Sequence, residues 1–407
     1  MWWEITLWSS LLAASTAIPS ARQRRDSIYS TSSSSVYRAF PYPQLVRFAN
    51  DECQTESGSA GTCYTYQECE DLKGQIEGEC ADGYGVCCFL TYQCRETVHH
   101  NVSYFVPPSY PNKEVQANVC PLKIAYEANI CQIRLDFTRF DILGPKDGDC
   151  RDDLFVVMGG NSNHKVPTIC GENDNQHIYI NVDTVEGPVE LQMITGITPY
   201  ARDWLIKISM IACDSSYKAP VGCVQYLTGI TGQLRSFNFY QRDEDRQGYL
   251  NGADYAICLR RERDMCTVTY SVRIEKDGPD IESGANDTSR VSSSGTSTES
   301  SRDHEHALGT GIFGIATSTS EGKPIELQAA AGLSKCTGDY LAIPGLDRFC
   351  GGAFNLNSGS RESQSVTVKN SGPLMILFKS DKAFNGRGFN INYQQGPCTP
   401  VVAQAFV

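Results

Sequence analysis

Two residue types could carry chemistry in this sequence: eighteen cysteines and six histidines. The histidines are His99, His100, His164, His177, His304 and His306. His304 and His306 flank Glu305 in a stretch rich in Ser and Thr. That stretch lacks the rigidity a preorganised site requires, and two close ligands are fewer than a zinc centre needs. A solvated role therefore fits the pair. His177 opens an alternating apolar run and reads as structural. Hydrolysis would call for a nucleophile beside a base that an acid orients. Neither G-x-S-x-G nor H-E-x-x-H occurs. The expectation is a protein without a catalytic site.

All eighteen cysteines follow residue 52, and their number is even. Cytosolic thiols stay reduced, so this usage points to an oxidising, extracellular compartment. No C-x-x-C pair and no matched histidine spacing accompanies them, so disulfides are expected rather than metal. Cys53, Cys63, Cys69, Cys80, Cys87 and Cys88 crowd a segment with few apolar residues. Such a segment cannot bury enough surface to fold alone, so bridges must hold it. Adjacent Cys87 and Cys88 should each reach a separate partner. Spacing does not choose among the possible connectivities.

These groups need elements to position them. The 407 residues suffice for two or three domains, and 41% hydrophobic content supports packed cores. The net charge of −12 and the lack of a basic run exclude nucleic acid and anionic membranes as natural partners. Residues 1–21 read as a signal peptide. The apolar stretch Ile5–Ala17 ends in small residues and is too short to span a bilayer, although Glu4 is atypical. No other stretch is apolar enough to cross a membrane. Residues 22–50 form a Ser-rich linker expected to be disordered. Arg22, Arg24 and Arg25 within it match either a processing site or a basic flank left by signal cleavage. The cysteine module takes 51–92.

From residue 93 the pattern is β. Ile133, Leu135 and Phe137 alternate with Arg134 and Asp136; Ile178 and Ile180 repeat the alternation, as do Trp204, Ile206 and Ile208. Val268, Tyr270, Val272 and Ile274 follow, then Phe389, Ile391 and Tyr393. Period two places one face on a core and the other in water. The continuous apolar runs Leu154–Met158 and Leu374–Phe378 predict central buried strands. Many short strands separated by turns give an all-β fold of sandwiches. Residues 277–307 are poor in apolar groups and read as a flexible insertion. Asn101 and Asn286 head N-glycosylation sequons.

Two spans resemble CUB domains, extracellular jelly-roll β-sandwiches. In 93–217 the resemblance rests on Cys94 and Cys120 with Phe105-Val106-Pro107-Pro108-Ser109-Tyr110-Pro111 between them, on Cys150-Arg151-Asp152-Asp153-Leu154, and on Cys170-Gly171. In 218–400 it rests on Cys336-Thr337-Gly338-Asp339-Tyr340-Leu341, Cys350-Gly351, and Phe378-Lys379-Ser380-Asp381. Segments such as Gly222-Cys223-Val224-Gln225-Tyr226-Leu227 and Ser236-Phe237-Asn238-Phe239 resemble secreted arthropod CUB-domain proteins over most of the chain. The six-cysteine module resembles a clip-like knot.

The resemblance implies two jelly-roll sandwiches after a small disulfide-rich module, and bridges Cys94–Cys120, Cys150–Cys170 and Cys336–Cys350. For the remaining cysteines, Cys258–Cys266 would close a hairpin, and Cys131–Cys213 and Cys223–Cys398 would stay inside one domain each. No cofactor is implied except calcium, which some CUB domains bind through a Glu and two Asp residues. Asp339 and Asp381 match the two Asp positions in the second span, but Ala331 stands where the Glu is expected. In the first span only Asp153 matches; Leu143 holds the Glu position, and Gln192–Gly196 offers no Asp. The expected function is a secreted, non-enzymatic adaptor that binds an extracellular protein. A regulatory cofactor of a serine-protease cascade and a structural matrix or cuticle component remain open alternatives.

Overall fold

The computed structural model describes residues 5–7, 44–161, 166–185, 187–239, 248–272, 313–317, 328–369, 372–382 and 385–398. His164, His304, His306, Asn286, the Arg22–Arg25 motif, most of the signal segment and the 277–307 insertion lie outside these residues. The chain divides into two compact units, residues 1–90 and 91–407.

In the first unit four antiparallel strands lie in the order Glu52–Gln54, Ala60–Tyr64, Gly85–Phe89, Gln75–Cys80. The Thr65 hydroxyl caps the short helix Tyr66–Asp71 by accepting from the Glu68 amide at 3.1 Å. Disulfides join Cys53–Cys87, Cys63–Cys80 and Cys69–Cys88. Cys87 and Cys88 are successive residues of one strand, so they point to opposite faces and find different partners. The chain passes so close to these sulfurs at Gly74 that a Cβ there would meet the Cys88 Sγ at 2.3 Å.

The second unit holds two sandwiches. One sheet of the first runs Leu154–Met158, Val189–Thr195, Asn118–Ile124, Thr97–Val98. The other runs Gln176–Asn181, Ile130–Asp141, Asp203–Ala212, Ser103–Phe105, Thr91–Tyr92. Thr91–Tyr92 thus belongs to this sandwich, and the boundary with the cysteine module falls before residue 91 rather than after 92. Phe137, Phe140 and Phe155 pack ring to ring between the sheets, with centroids 4.6–5.8 Å apart. Trp204, Leu122 and Ile206 extend the same core.

In the second sandwich one sheet runs Cys223–Leu227, Asp254–Leu259, Leu374–Lys379, Tyr340–Ala342, Arg348–Gly351, Ala329–Ala331. The facing sheet runs Thr231–Arg235, Gly388–Pro397, Met265–Val272, Val366–Lys369. The fold is all-β with jelly-roll sandwiches, as the alternation required. The continuous run at 374–378 is central as expected. The one at Leu154–Met158 is not: it forms a sheet edge, with Met158 40% exposed. An apolar run reports side-chain type but not neighbour count. Conversely, Gln176–Asn181 is an edge strand buried along its whole length, because the second sandwich lies against it.

Cys94–Cys120, Cys131–Cys213, Cys150–Cys170 and Cys336–Cys350 are bridged. The expected Cys258–Cys266 and Cys223–Cys398 pairs are replaced by Cys223–Cys258 and Cys266–Cys398. Topology explains the exchange. Cys258 and Cys266 sit on strands of opposite sheets, so they do not form a hairpin. Cys223 lies on the parallel neighbour of the Cys258 strand, with Cα atoms 5.7 Å apart. Met265 pairs with Pro397, which sets Cys266 beside Cys398.

Candidate functional site

Asp153 stands just before the strand Leu154–Met158, and Arg202 just before Asp203–Ala212. Both side chains are fully buried. The guanidinium donates from Nε to Asp153 Oδ2 at 2.6 Å and from Nη2 to Oδ1 at 2.9 Å. It also donates to the carbonyls of Gly196 at 2.9 Å, Thr198 at 3.0 Å and Tyr200 at 3.2 Å. The carboxylate accepts in addition from the Leu143 amide at 2.8 Å and the Gly196 amide at 2.8 Å. A planar fork that meets two carboxylate oxygens and three carbonyls ties the loop 196–201 to Asp153. The loop carries Ile197, 91% exposed; Arg202 at its end forms a backbone bridge with Glu114, and Val115 next to Glu114 is 64% exposed.

The corresponding position of the second sandwich is built differently. Asp339 is buried; its Oδ2 accepts from the Tyr249 hydroxyl and its Oδ1 from the Asp381 amide at 2.5 Å. Burial pushes its carboxyl up to about 7, against the two hydrogen bonds that favour the anion. The Tyr249 hydroxyl accepts in turn from the Ala316 amide at 3.0 Å, and burial drives its own ionisation far out of range. Ser380 ties the same end together, accepting from the Ala253 amide at 2.9 Å and donating to the Leu250 carbonyl at 2.7 Å.

Among the described residues these clusters bring few charged oxygens toward the six or more that calcium takes. In the first sandwich Asp153 is committed to Arg202, and the Leu143 main chain occupies the position of the expected acid. In the second, Asp339 and Asp381 adjoin each other, but Ala331 supplies no carboxylate. Among the described residues no group of three His, Cys, Asp or Glu side chains could hold a metal.

His177 lies on the edge strand Gln176–Asn181, remote from the Asp153 and Asp339 clusters in sequence, with its Nε2 accepting from the Tyr226 amide at 3.0 Å. Burial pushes its imidazole down to about 4. His99 and His100 neighbour each other, and burial lowers His100. Asn101 is exposed, with its Oδ1 accepting from the Met210 amide at 2.8 Å. Sequence reasoning reached Asp153, Asp339 and Asp381 but missed Arg202 and Tyr249. A lone arginine beside a turn carries no spacing signal, and a tyrosine 90 residues from its acid carries none either.

The class defined here is a disulfide-bonded pair of jelly-roll sandwiches. Residues 220–396 match the animal CUB domain family and residues 94–187 the CUB domain family, so the chain carries two CUB domains. No curated protein matches the chain. Among solved structures, the CUB1-EGF-CUB2 domains of rat MASP-1 are 13% identical with a TM-score of 0.24, over 75% of this chain and 99% of that one. The same domains of human MASP-1/3 are 14% identical with a TM-score of 0.23, over 73% and 100%. The MASP-1 CUB2 domain bound to Ca2+ is 18% identical with a TM-score of 0.24, over 28% and 98%.

Proposed function

We propose that this chain is a secreted, non-catalytic adaptor that binds an extracellular protein through the loop ends of its CUB domains. Such domains commonly mediate protein–protein interaction. Nine disulfides suit an oxidising space, and no helix among the described residues is long and apolar enough to cross a membrane. The observation that carries the reading is the Arg202 clamp: it holds a loop rigid while lifting Ile197 almost wholly into solvent. A preorganised apolar residue on a fixed loop binds at low entropic cost.

The test uses the oxidised full chain and its Ile197→Asp variant, immobilised and exposed to extracellular fluid of the source organism. The expected result is a protein retained by the wild type, with at least tenfold weaker binding to the variant. Equal retention by both would remove the loop from the interface. Turnover of a peptide or ester panel by the purified chain would overturn the non-catalytic assignment.

A further inference from the structure

The two sandwiches meet along the edges Gln176–Asn181 and Cys223–Leu227, where an apolar cluster that includes Tyr179, Ile211, Cys223 and Tyr226 is accompanied by several buried side-chain hydrogen bonds. No ladder joins these strands among the described pairings; side chains do the joining. Gln225 Nε2 donates to Gln176 Oε1 at 3.0 Å. Gln132 exchanges two bonds of 2.8 Å with the main chain of Ala219. Asn238 donates its amide to Asn173 Oδ1 at 2.7 Å. Primary amides make such bonds at any pH. His177 differs: its Nε2 accepts the Tyr226 amide proton, so only the neutral imidazole, protonated at Nδ1, fits. Protonation of Nε2 would set two N–H groups against each other inside a contact closed to water.

We propose that the tandem is one rigid unit at neutral pH and that His177 releases the two sandwiches from each other in acid. This goes beyond the adaptor reading and does not depend on it.

The groups around the imidazole support this direction. On Ile130–Asp141, Asp136 is its register partner and favours the cation, while Arg134 opposes it; the two also form an ion pair with each other. On its own strand Tyr179 packs edge-on at 5.6 Å. Across the junction Tyr226 contributes its amide, with Arg260 and Glu262 acting on the Tyr226 ring. Burial is the largest influence and holds His177 down at about 4. An imidazole lowered on assembly leaves the contact fully stable above about 6.5 and weakens it as pH falls toward 4. Elsewhere at the junction Arg235 donates to the Asp174 carbonyl and is drawn to the carboxylates of Glu172 and Asp174. Asn251 donates from Nδ2 to the Asp147 main-chain carbonyl at 2.7 Å and to the Asp149 carboxylate at 3.1 Å. A non-titrating control therefore isolates the imidazole from these groups.

The experiment is small-angle scattering on the oxidised full chain at pH 7.4 and pH 4.0, with near-UV circular dichroism as a check that each sandwich stays folded. Wild type should gain radius of gyration in acid and recover it on neutralisation. His177→Gln, which keeps an acceptor but does not titrate, should remain compact at both values. His177→Asn is the second non-titrating variant, used if the first does not fold. A wild type that stays compact at pH 4.0, or a folded non-titrating variant that expands as the wild type does, overturns the assignment.

Discussion

Removing the Arg202 guanidinium tests the claim that a side chain does a cation's work in the first CUB domain. In Arg202→Met the apolar volume is roughly kept, but Asp153 remains fully buried without its counter-charge. Breaking a buried pair from one side costs about 3–5 kcal/mol. Two amide donors, from Leu143 and Gly196, stay on the carboxylate, which puts the expected loss near about 3 kcal/mol. At about 2–4 °C per kcal/mol for a unit of this size, the melting temperature should fall by about 6–12 °C. The assay is scanning calorimetry of the oxidised chain, in which intact disulfides permit a cooperative transition. Arg202→Lys should lose part of that stability, because an ammonium keeps the charge but not the fork that reaches three carbonyls. The double variant Arg202→Met with Asp153→Leu should recover much of the loss, since it removes the stranded charge. Millimolar calcium or a chelator should leave the wild-type transition where it is. A loss below about 1 kcal/mol in Arg202→Met, the range of an exposed ion pair, would refute the reasoning; so would a clear upward shift with calcium.

Two further outcomes follow from other parts of the molecule. Asp339, raised from 3.8 to about 7, holds its proton more tightly folded than unfolded, so its contribution to stability falls as pH rises from 4 to 7. The span corresponds to about 4 kcal/mol, and Asp339→Asn should flatten the melting profile over that range; an unchanged profile would contradict the buried neutral acid. Mass mapping of non-reduced peptides should find Cys223 joined to Cys258 and Cys266 to Cys398. Recovery of a Cys258–Cys266 peptide would instead support the hairpin and contradict the sheet order.

Particular residues show which parts of this architecture were readable in sequence. Ile133, Leu135 and Phe137 alternate because one face of a strand meets the core, and that local rule holds in the folded chain. Edge and centre were not readable at Leu154–Met158, because they depend on how many strands lie alongside, a non-local fact. The Cys223–Cys258 bridge was missed for the same reason: its two strands are parallel neighbours, and parallel pairing leaves no short turn to mark it. Asp153 and Asp339 each follow a cysteine by three positions and could be found. Their partners could not, since Arg202 is 49 residues from Asp153 and Tyr249 is 90 from Asp339.

The contrast between those two acids has a physical consequence for the molecule. A carboxyl group in a desolvated loop end must be neutralised, either by a fixed cation or by a proton. The first CUB domain uses a guanidinium, whose charge persists throughout the range in which proteins fold. The second uses a tyrosine hydroxyl, which donates a hydrogen bond but brings no charge, and so leaves the acid to take up a proton near 7. The two loop ends are thereby unequal in how they neutralise a buried acid. A partner engaging the Ile197 loop should bind with little dependence on pH between 5 and 8, whereas contacts near Asp381, whose amide rests on Asp339, should respond to the same change. Comparing the pH profile of binding in wild type and Asp339→Asn separates the two: a profile altered by that substitution assigns the partner to the second end, and an unaltered one assigns it to the first.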